Sequence, residues 1–219
     1  MSLALIRDYL QTQGLPLAAD EVRAAQLAWQ AVMNLGQAEI DRSLLWYEAD
    51  GWALADFFSP NEANDLALKQ VFMALDSCFE RAEVQSASVY AVCGQDLVRL
   101  AQQGLPLEQK LTLSLENTRA SLALHSAHTG WLNRVDDVAQ WLEWGDLVGE
   151  HYARCASQMS VPICLESGRV LGMIHLEAAH KHAFANDEMQ TAWVALAIAL
   201  VQPLRILLNT EENQAENHE

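Results

Sequence analysis

The stretch that decides the fold runs from residue 159 to residue 177 and reads Met159-Ser-Val-Pro-Ile-Cys-Leu-Glu166, Ser167-Gly168, Arg169-Val-Leu-Gly-Met-Ile-His-Leu-Glu177. Two apolar runs of similar length and similar β-branched content flank two residues that favour a tight turn. This pattern predicts an antiparallel β-hairpin in which Val161–Leu165 pairs with Val170–Leu176.

A long apolar helix is predicted after the hairpin, over residues 187–208. Asn186 can cap its first turn, and the acidic side chains of Asp187 and Glu188 suit the positive end of a helix. Apolar residues then recur at helical spacing as far as Leu207. Pro203 falls inside this pattern and predicts a kink or an early end.

The order strand, tight turn, strand, acidic cap and apolar helix resembles the C-terminal half of a GAF domain, the small-molecule sensor module of signalling proteins. The matching residues are Val161-Pro162, Gly168, the run Val170-Leu-Gly172-Met-Ile174-His-Leu176, and Phe184 followed by Asp187-Glu188. The resemblance covers residues 60–208. It implies an α+β, profilin-like fold, with an antiparallel sheet of five or six strands and helices 61–82 and 187–208 on one face.

The remaining elements of this sheet can be placed along the chain. Ser88–Cys93 and Leu97–Leu100 predict a first hairpin around Gly94. Further strands are expected at Leu111–Leu115 and at Trp131–Val138. Capping patterns predict a helix that starts at Ser59-Pro60 and a second one that runs from Asn117 to Gly130.

Three segments follow from this reading: a helical extension over residues 1–58, the GAF-like domain over 59–209, and a disordered acidic tail over 210–219. In the extension, Ser2 and Asp20 are expected to cap two helices, and Gly36 is expected to mark a bend or break. The tail is polar and carries four glutamates.

Composition excludes several classes of protein. The 219 residues carry a formal net charge of −16, which repels phosphate backbones, so nucleic-acid binding is not expected. No uninterrupted apolar run approaches the ~20 residues of a membrane span, and no secretory signal opens the sequence. The four cysteines form no Cys-x-x-Cys pair and no disulfide framework, which favours a cytoplasmic protein with reduced thiols.

The resemblance places the connection over residues 139–156 across the ligand pocket of the domain. Aromatic walls with a few polar tips are typical of small-molecule sites. The candidate ligand-binding residues are Trp131, Arg134, Trp141, Trp144, His151, Tyr152 and His175. Arg134 is the expected charge partner of a polar or anionic metabolite, and the alternative pairs it with Asp136 or Asp137 at the surface. The rings can equally fill the pocket themselves.

The alternation of the second hairpin strand leaves one question open. Met173, His175 and Glu177 share one face, opposite Gly172, Ile174 and Leu176. The pattern does not decide which of the two faces meets the pocket, and it names no cofactor.

Metal and thiol chemistry find little support in the sequence. The spacing of the seven histidines and the cysteines matches no zinc pattern, so no metal site is expected. Free methionine sulfoxide reductases share the GAF fold but carry a group of cysteines that this chain lacks. Cys155 lies in the connection over the pocket and would need a low pKa to act as a nucleophile.

Three hypotheses about function remain. The first is a non-enzymatic regulatory module that binds a small molecule and forms a homodimer. The second is a pure dimerisation or adaptor module whose pocket is filled by its own side chains, and the third is an enzyme similar to the free methionine sulfoxide reductases. The homodimer is expected because apolar residues of the extension lack a second sheet to cover them; they are Leu3, Ile6, Leu10, Val22, Trp29 and Val32.

Overall fold

Residues 1–35 and 39–210 are described by the structure, a computed structural model. Their α-helices are α1 (Leu3–Thr12), α2 (Ala19–Asn34), α3 (Arg42–Leu45), α4 (Glu62–Phe79), α5 (Leu122–Thr129), α6 (Val138–Trp144), α7 (Asp187–Ala199) and α8 (Val201–Leu207). Their strands are β1 (Glu48–Ala49), β2 (Trp52–Ala53), β3 (Ser86–Cys93), β4 (Asp96–Gly104), β5 (Lys110–Thr112), β6 (Asn133–Val135), β7 (Ser157–Cys164) and β8 (Val170–Ala178). Short 3-10 helices lie at Leu54–Asp56, Glu116–Arg119 and Glu150–Arg154.

Six of the strands form one antiparallel sheet in the order β5-β4-β3-β8-β7-β6. The predicted hairpin is confirmed: β7 and β8 pair antiparallel, with Val161 opposite Ile174. Gly168 lies in their turn with a φ of 83°, a conformation that glycine adopts without strain. The mixed helix-and-strand architecture expected from the resemblance is therefore present.

Strand alternation gives this sheet two different faces. On β8, Ile174 and Leu176 point into the main hydrophobic core, together with Met159 and Val161 of β7. Met173, on the opposite face, packs against α5 in a separate apolar cluster. The large core therefore lies on one side of the sheet, and α5 covers part of the other side.

The main core includes the N-terminal helices as well as α4, α7 and α8. Helix α2 packs along α7, and the side chains of Ile6, Leu10, Val22 and Trp29 are at most 4% exposed within the single chain. The expectation that these residues lack a covering layer is therefore wrong. They fold back onto their own domain, which removes the argument that placed them at a dimer seam.

Some helix starts differ from the predicted ones. Ser2 caps α1 and Asn186 caps α7 as expected, but Asn61 rather than Ser59 caps α4, through a 2.9 Å hydrogen bond from the Asn64 amide. Asp20 lies inside the first turn of α2, where its charge suits the helix dipole without capping.

Two other predicted segments are rearranged in the structure. The helix expected from Asn117 to Gly130 is broken into a 3-10 turn at Glu116–Arg119 and helix α5. The connection at residues 139–156, for which no regular element was predicted, contains most of α6 and the 3-10 turn Glu150–Arg154. The bend expected at Gly36 and residues 211–219 of the expected acidic tail lie outside the described residues.

Helices α7 and α8 meet at Leu200, three residues before Pro203, which agrees with the predicted early end. Proline has no amide hydrogen to donate to the preceding turn, so the break falls where that bond is missing. Together the two helices span 21 residues, and an 18-residue window within them has a mean hydropathy of 1.4, so the segment is long and apolar enough to cross a membrane by composition. In the structure 72% of the most apolar window is buried, as in the core helix of a folded domain.

Candidate ligand-binding site

Polar side chains occupy the centre of the sheet on the face that carries α5. Ser88 of β3 and Ser160 of β7 both lie opposite His175 of β8, and Gln158 of β7 lies opposite Glu177. All five side chains are buried. Because alternation places apolar residues on the other face, the sequence puts two polar rows where a packed sheet would ordinarily be apolar.

Hydrogen bonds link Ser160 to His175 and Gln158 to Glu177, and a longer contact joins the two rows. Ser160 Oγ and His175 Nδ1 are 2.7 Å apart, and His175 Nε2 lies 3.7 Å from Glu177 Oε1. Gln158 Nε2 donates to the same oxygen of Glu177 at 3.2 Å. The Glu177 carboxylate is therefore the centre of the network, with a side chain that is 1% exposed.

Arg154, from the 3-10 turn Glu150–Arg154, supplies the positive charge. Its Nε donates to Glu177 Oε2 at 2.8 Å and its Nη2 donates to Glu177 Oε1 at 3.0 Å. Nη2 also reaches Glu108 Oε2 at 3.3 Å. Two carboxylates thus face one guanidinium, so an anionic ligand would meet more negative than positive charge here.

These groups line a cavity of about 160 Å³, which we call the sheet pocket. Its floor is the polar face of β3, β7 and β8, and its walls come from the start of α5, the β4–β5 loop and the 3-10 turn Glu150–Arg154. The side chains that dominate the lining are Tyr90, Tyr152, Arg154, Gln158, His175 and Glu177. This volume equals that of roughly five water molecules, below the ~300–1,000 Å³ of drug-sized sites.

Two polar atoms in this lining, Gln158 Oε1 and the Tyr152 hydroxyl, have no hydrogen-bond partner among the described residues. Gln158 is 1% exposed, and its amide nitrogen bonds to Glu177 and to the Cys155 sulfur, but its Oε1 accepts no hydrogen bond. A buried acceptor without a donor costs about 1–3 kcal/mol. A water or a ligand with an N–H or O–H group in the sheet pocket would satisfy it.

The pocket shifts the acidity of its own groups. Burial raises the pKa of Glu177, but the nearby His175 and the hydrogen bonds from Arg154 outweigh it and hold that pKa below its usual value. Burial lowers the pKa of Arg154, and Glu177 and Glu108 more than offset it. Both groups therefore stay charged at neutral pH.

Three of the predicted site residues lie at the sheet pocket. His175 belongs to the polar floor, which answers the question that the sequence left open: the face with Met173, His175 and Glu177 meets the pocket. Tyr152 and His151 lie in the wall, with their ring centroids 4.2 Å apart.

The structure does not bring the other four residues to the sheet pocket. Arg134 Nε lies 3.0 Å from Asp136 Oδ1, and its Nη1 donates to the Phe184 carbonyl at 3.2 Å, as in the surface alternative. Trp141 packs in a small cluster with Val138 and Leu147, whereas Trp131 and Trp144 are 50% and 62% exposed. The tryptophans therefore do not fill the pocket.

Sequence reasoning missed Arg154, Gln158 and Glu108. Arg154 follows Tyr152 by two residues, inside the segment already expected to cover the pocket, so its charge was the available signal. Gln158 sits two residues before Ser160 in a strand, where polar alternation marked the same face. Glu108 had no local signal, because the β4–β5 loop that carries it reaches the pocket only in the folded chain.

The cysteines do not support thiolate chemistry at this pocket. The Cys155 sulfur accepts a hydrogen bond from Gln158. Burial and the nearby Glu177 charge raise the pKa of the Cys155 thiol to about 12. Burial also raises the pKa of Cys78 and Cys93 to about 12 and that of Cys164 to about 11. Along residues 1–35 and 39–210, no group of three or more His, Cys, Asp or Glu side chains could hold a metal ion.

Comparisons with solved structures identify the architecture. A putative GAF sensor protein from Burkholderia vietnamiensis aligns over 85% of this chain and 98% of its own, with a TM-score of 0.58 and 16% identity. The GAF domain of an Acinetobacter phosphoenolpyruvate-protein phosphotransferase aligns over 89% and 96%, with a TM-score of 0.56 and 14% identity.

An enzyme shares the same architecture. A type II free methionine-R-sulfoxide reductase from Thermoplasma acidophilum aligns over 67% of this chain and 97% of its own, with a TM-score of 0.57 and 16% identity. No protein-family model and no curated relative matches the sequence. At these identities the similarity establishes the fold alone, and the chain is a GAF-like domain by its fold.

Proposed function

We propose that this protein is a regulatory module that binds a small, hydrogen-bonding molecule in the sheet pocket. The observation that carries the proposal is the buried Gln158 Oε1 without a partner, on a polar sheet centre that opens into a cavity. A polar floor at the middle of a packed sheet is costly unless its groups are paired, and a bound molecule would complete the pairing.

The charges of the pocket define the class of ligand. Arg154 is already engaged by Glu177 and Glu108, so its charge is not free to receive a carboxylate or phosphate. The free hydrogen-bonding groups are the Gln158 Oε1 acceptor and the Tyr152 hydroxyl, which can donate or accept, and the carboxylates of Glu108 and Glu177 also line the pocket. We therefore favour a neutral or cationic molecule with amide, hydroxyl or ammonium donors, in place of the anion that Arg134 would have held.

Binding would affect the segment that closes the pocket. The turn Glu150–Arg154 is attached by the Glu177 contacts and by a 2.7 Å hydrogen bond from Gln85 Nε2 to the Arg154 carbonyl. A ligand that contacts both this turn and β8 stabilises the closed arrangement by its differential affinity. The expected response is slower amide exchange over residues 139–156.

Native mass spectrometry of the protein purified from its own host tests the proposal. We expect a retained small molecule in the wild-type protein and its loss in Gln158→Leu, with Gln140→Leu, on the exposed side of α6, as the matched control. Hydrogen exchange of the same samples gives a second measurement. If residues 139–156 exchange as slowly as the strands without any ligand, the sensor function is wrong.

A second candidate is an adaptor whose pocket is filled by its own side chains. The observation in its favour is the modest volume of about 160 Å³, with the rings of Tyr90 and Tyr152 against the floor. Homodimer formation is proposed in both cases. Light scattering measures it directly, and a mass of one 24.3 kDa chain at micromolar concentration would contradict the dimer.

The enzyme alternative has less support. A thiol with a pKa of about 12 is almost entirely protonated at neutral pH, and the thiolate is the nucleophile that sulfoxide reduction by cysteine requires. The four cysteines are also spread over α4, β3, β7 and the turn before β7. The sheet pocket therefore offers binding groups more readily than catalytic ones.

A further inference from the structure

A second cavity lies between α1 and the body of the domain, and we call it the α1 cavity. Helix α1 forms one wall, and the turn after α5 together with the β7–β8 turn forms the other. Its volume is about 240 Å³, larger than that of the sheet pocket. No part of the proposed function uses it.

Specific contacts hold α1 in place across this cavity. The Tyr9 hydroxyl donates to the Pro162 carbonyl at 3.1 Å, and Gln13 Nε2 donates to the Gly130 carbonyl at 2.9 Å. The Leu132 amide donates to Gln13 Oε1 at 2.6 Å. Helix α1, which forms one wall of the cavity, is therefore held to the domain at Tyr9 and, just beyond its C-terminal end, at Gln13.

The walls are mostly apolar and include two aromatic rings. Leu5, Tyr9, Trp131 and Leu165 line the cavity, and Trp131 is 50% exposed. The half-exposed indole therefore offers an aromatic surface at the edge of the cavity. The face of such a ring attracts a cation within about 6 Å of its centroid.

The charges around the α1 cavity are acidic. Asp8 of α1 and Glu166 of the β7–β8 turn line it from opposite walls, and the lining formed by the described residues contains no lysine, arginine or histidine side chain. Met1 also lines the cavity, and its terminal amino group is outnumbered by the two carboxylates. Within a chain of net charge −16, this site repels anions and attracts cations.

We propose that the α1 cavity binds a small organic cation with an apolar body. The ammonium group lies between the Asp8 and Glu166 carboxylates, and the apolar body lies against Tyr9, Trp131 and Leu5. The acidic segment at residues 210–219, with its four glutamates, is a poor occupant because the same carboxylates repel it. Since the ligand contacts both α1 and the body, it stabilises the docked helix.

Protonated phenethylamine is the probe for this site. Its neutral analogue phenethyl alcohol and its anionic analogue phenylacetate have similar size and lack the positive charge. Titration of the full-length protein, followed by amide and indole NMR signals, gives both affinity and location. We expect phenethylamine to bind at least about tenfold more tightly than the alcohol, phenylacetate not to bind, and shifts to centre on α1 and the Trp131 indole.

The double variant Asp8→Asn/Glu166→Gln separates charge from shape. It is expected to bind the amine no better than the alcohol. Asp50→Asn/Glu80→Gln removes the same amount of charge from exposed positions outside both cavities and should keep the wild-type preference. A Trp131→Leu variant should weaken the binding of both the amine and the alcohol.

Three results would overturn the proposal. One is equal affinity for the amine and the alcohol in the wild-type protein, and another is an equal loss of amine binding in both double variants, which would assign the effect to net charge. The third is a set of α1 signals that shift with protein concentration and block the probe, because the occupant would then be a second copy of the chain. A negative result at the α1 cavity would not contradict the function proposed for the sheet pocket, because the described residues that line the two cavities are all different.

Discussion

Arg154 holds Glu177 by two parallel hydrogen bonds, of 2.8 Å and 3.0 Å, across the wall and floor of the sheet pocket. The Glu177 side chain is 1% exposed, whereas that of Arg154 is 27% exposed. The carboxylate thus depends on the guanidinium for its charge compensation, while the guanidinium keeps some contact with water. The pair also ties the 3-10 turn Glu150–Arg154 to the central strand β8.

Removal of Arg154 should therefore destabilise the fold more than removal of an exposed partner. Breaking a fully buried ion pair costs about 3–5 kcal/mol, and the partial exposure of Arg154 reduces this to about 2–3 kcal/mol for Arg154→Met. Urea unfolding followed by circular dichroism measures the loss. Arg42→Met, which breaks the exposed pair with Asp65, is the control and should cost at most about 1 kcal/mol. Equal losses in the two variants would contradict the role of the buried pair.

Glu177 should make stability depend on pH. Its folded pKa lies below the ordinary 4.5, since the nearby His175 and the hydrogen bonds from Arg154 outweigh burial. Between the folded and unfolded pKa values the unfolded chain binds more protons, so stability rises with pH there. The contribution of Glu177 is fully present above the unfolded pKa and is lost as the pH falls through the folded pKa.

The test compares the free energy of unfolding of wild-type protein and Glu177→Gln across this range. The difference should be constant near neutral pH and should shrink as the pH falls below about 4.5. Glu80→Gln, at an exposed position, should track the wild-type protein throughout. A difference between wild type and Glu177→Gln that stays constant from neutral to strongly acidic pH would show that the carboxylate charge is not what the network stabilises.

Cys155 should react slowly with electrophiles. Burial and the Glu177 charge raise the pKa of its thiol to about 12, from a value of 9.0 in an exposed cysteine. The thiolate fraction at neutral pH then falls roughly a hundredfold to a thousandfold. Iodoacetamide labelling followed by mass spectrometry should give a correspondingly slower rate than in the urea-unfolded protein. Labelling at the unfolded rate would reopen the enzyme alternative.

Gly172 should tolerate no larger side chain. A Cβ there would collide with the Tyr90 carbonyl and would lie 2.5 Å from Leu204 Cδ2 of α8. We expect Gly172→Ala to cost at least about 2–3 kcal/mol, because both the strand and the helix would have to move. In Gly168→Ala the new Cβ would lie in open space, so only the φ of 83° is unfavourable. We therefore expect a loss of about 1–2 kcal/mol in the free energy of unfolding. A loss at Gly172 no larger than at Gly168 would show that α8 yields to the added methyl group.

The sequence predicted the fold well because its signals are local. The Ser167-Gly168 turn, the apolar runs around it and the Asn186 cap each depend on neighbouring residues, and each is present. The helix start at Ser59 was misplaced because Asn61 nearby can also cap, and the starts at Asp20 and Asn117 were misplaced because α2 and α5 begin without a capping side chain.

The sheet pocket was predicted only in part, because its members converge from distant segments. His175 and Tyr152 were found from strand alternation and from the GAF resemblance, while Glu108 comes from a loop that no local pattern connects to β8. The tryptophans were predicted to line the pocket because they are large aromatic residues, but the size of a ring does not determine where its side chain points. Trp131 instead faces the α1 cavity, which depends on a helix more than a hundred residues away in sequence.

Gln13 should control whether α1 stays docked. Its side chain donates to the Gly130 carbonyl at 2.9 Å and accepts from the Leu132 amide at 2.6 Å, at the C-terminal end of α5. Gln13→Leu removes both bonds and leaves two half-buried backbone groups without partners. We expect this to reduce the stability of the docked helix by about 1–3 kcal/mol. Amide hydrogen exchange in α1 should accelerate by about tenfold or more as a result.

The exchange pattern distinguishes this coupling from general destabilisation. Helix α5 lies between its N-cap Ser121 at the sheet pocket and its C-cap Gly130 at the Gln13 contact, so its last turn should also exchange faster, while β3 and β8 should not change. Gln11→Leu changes an exposed glutamine of the same helix and is the matched control. If Gln11→Leu and Gln13→Leu give the same exchange in α1, the two hydrogen bonds do not hold the helix. A uniform acceleration over the whole chain in Gln13→Leu would mean that α1 unfolds only together with the domain.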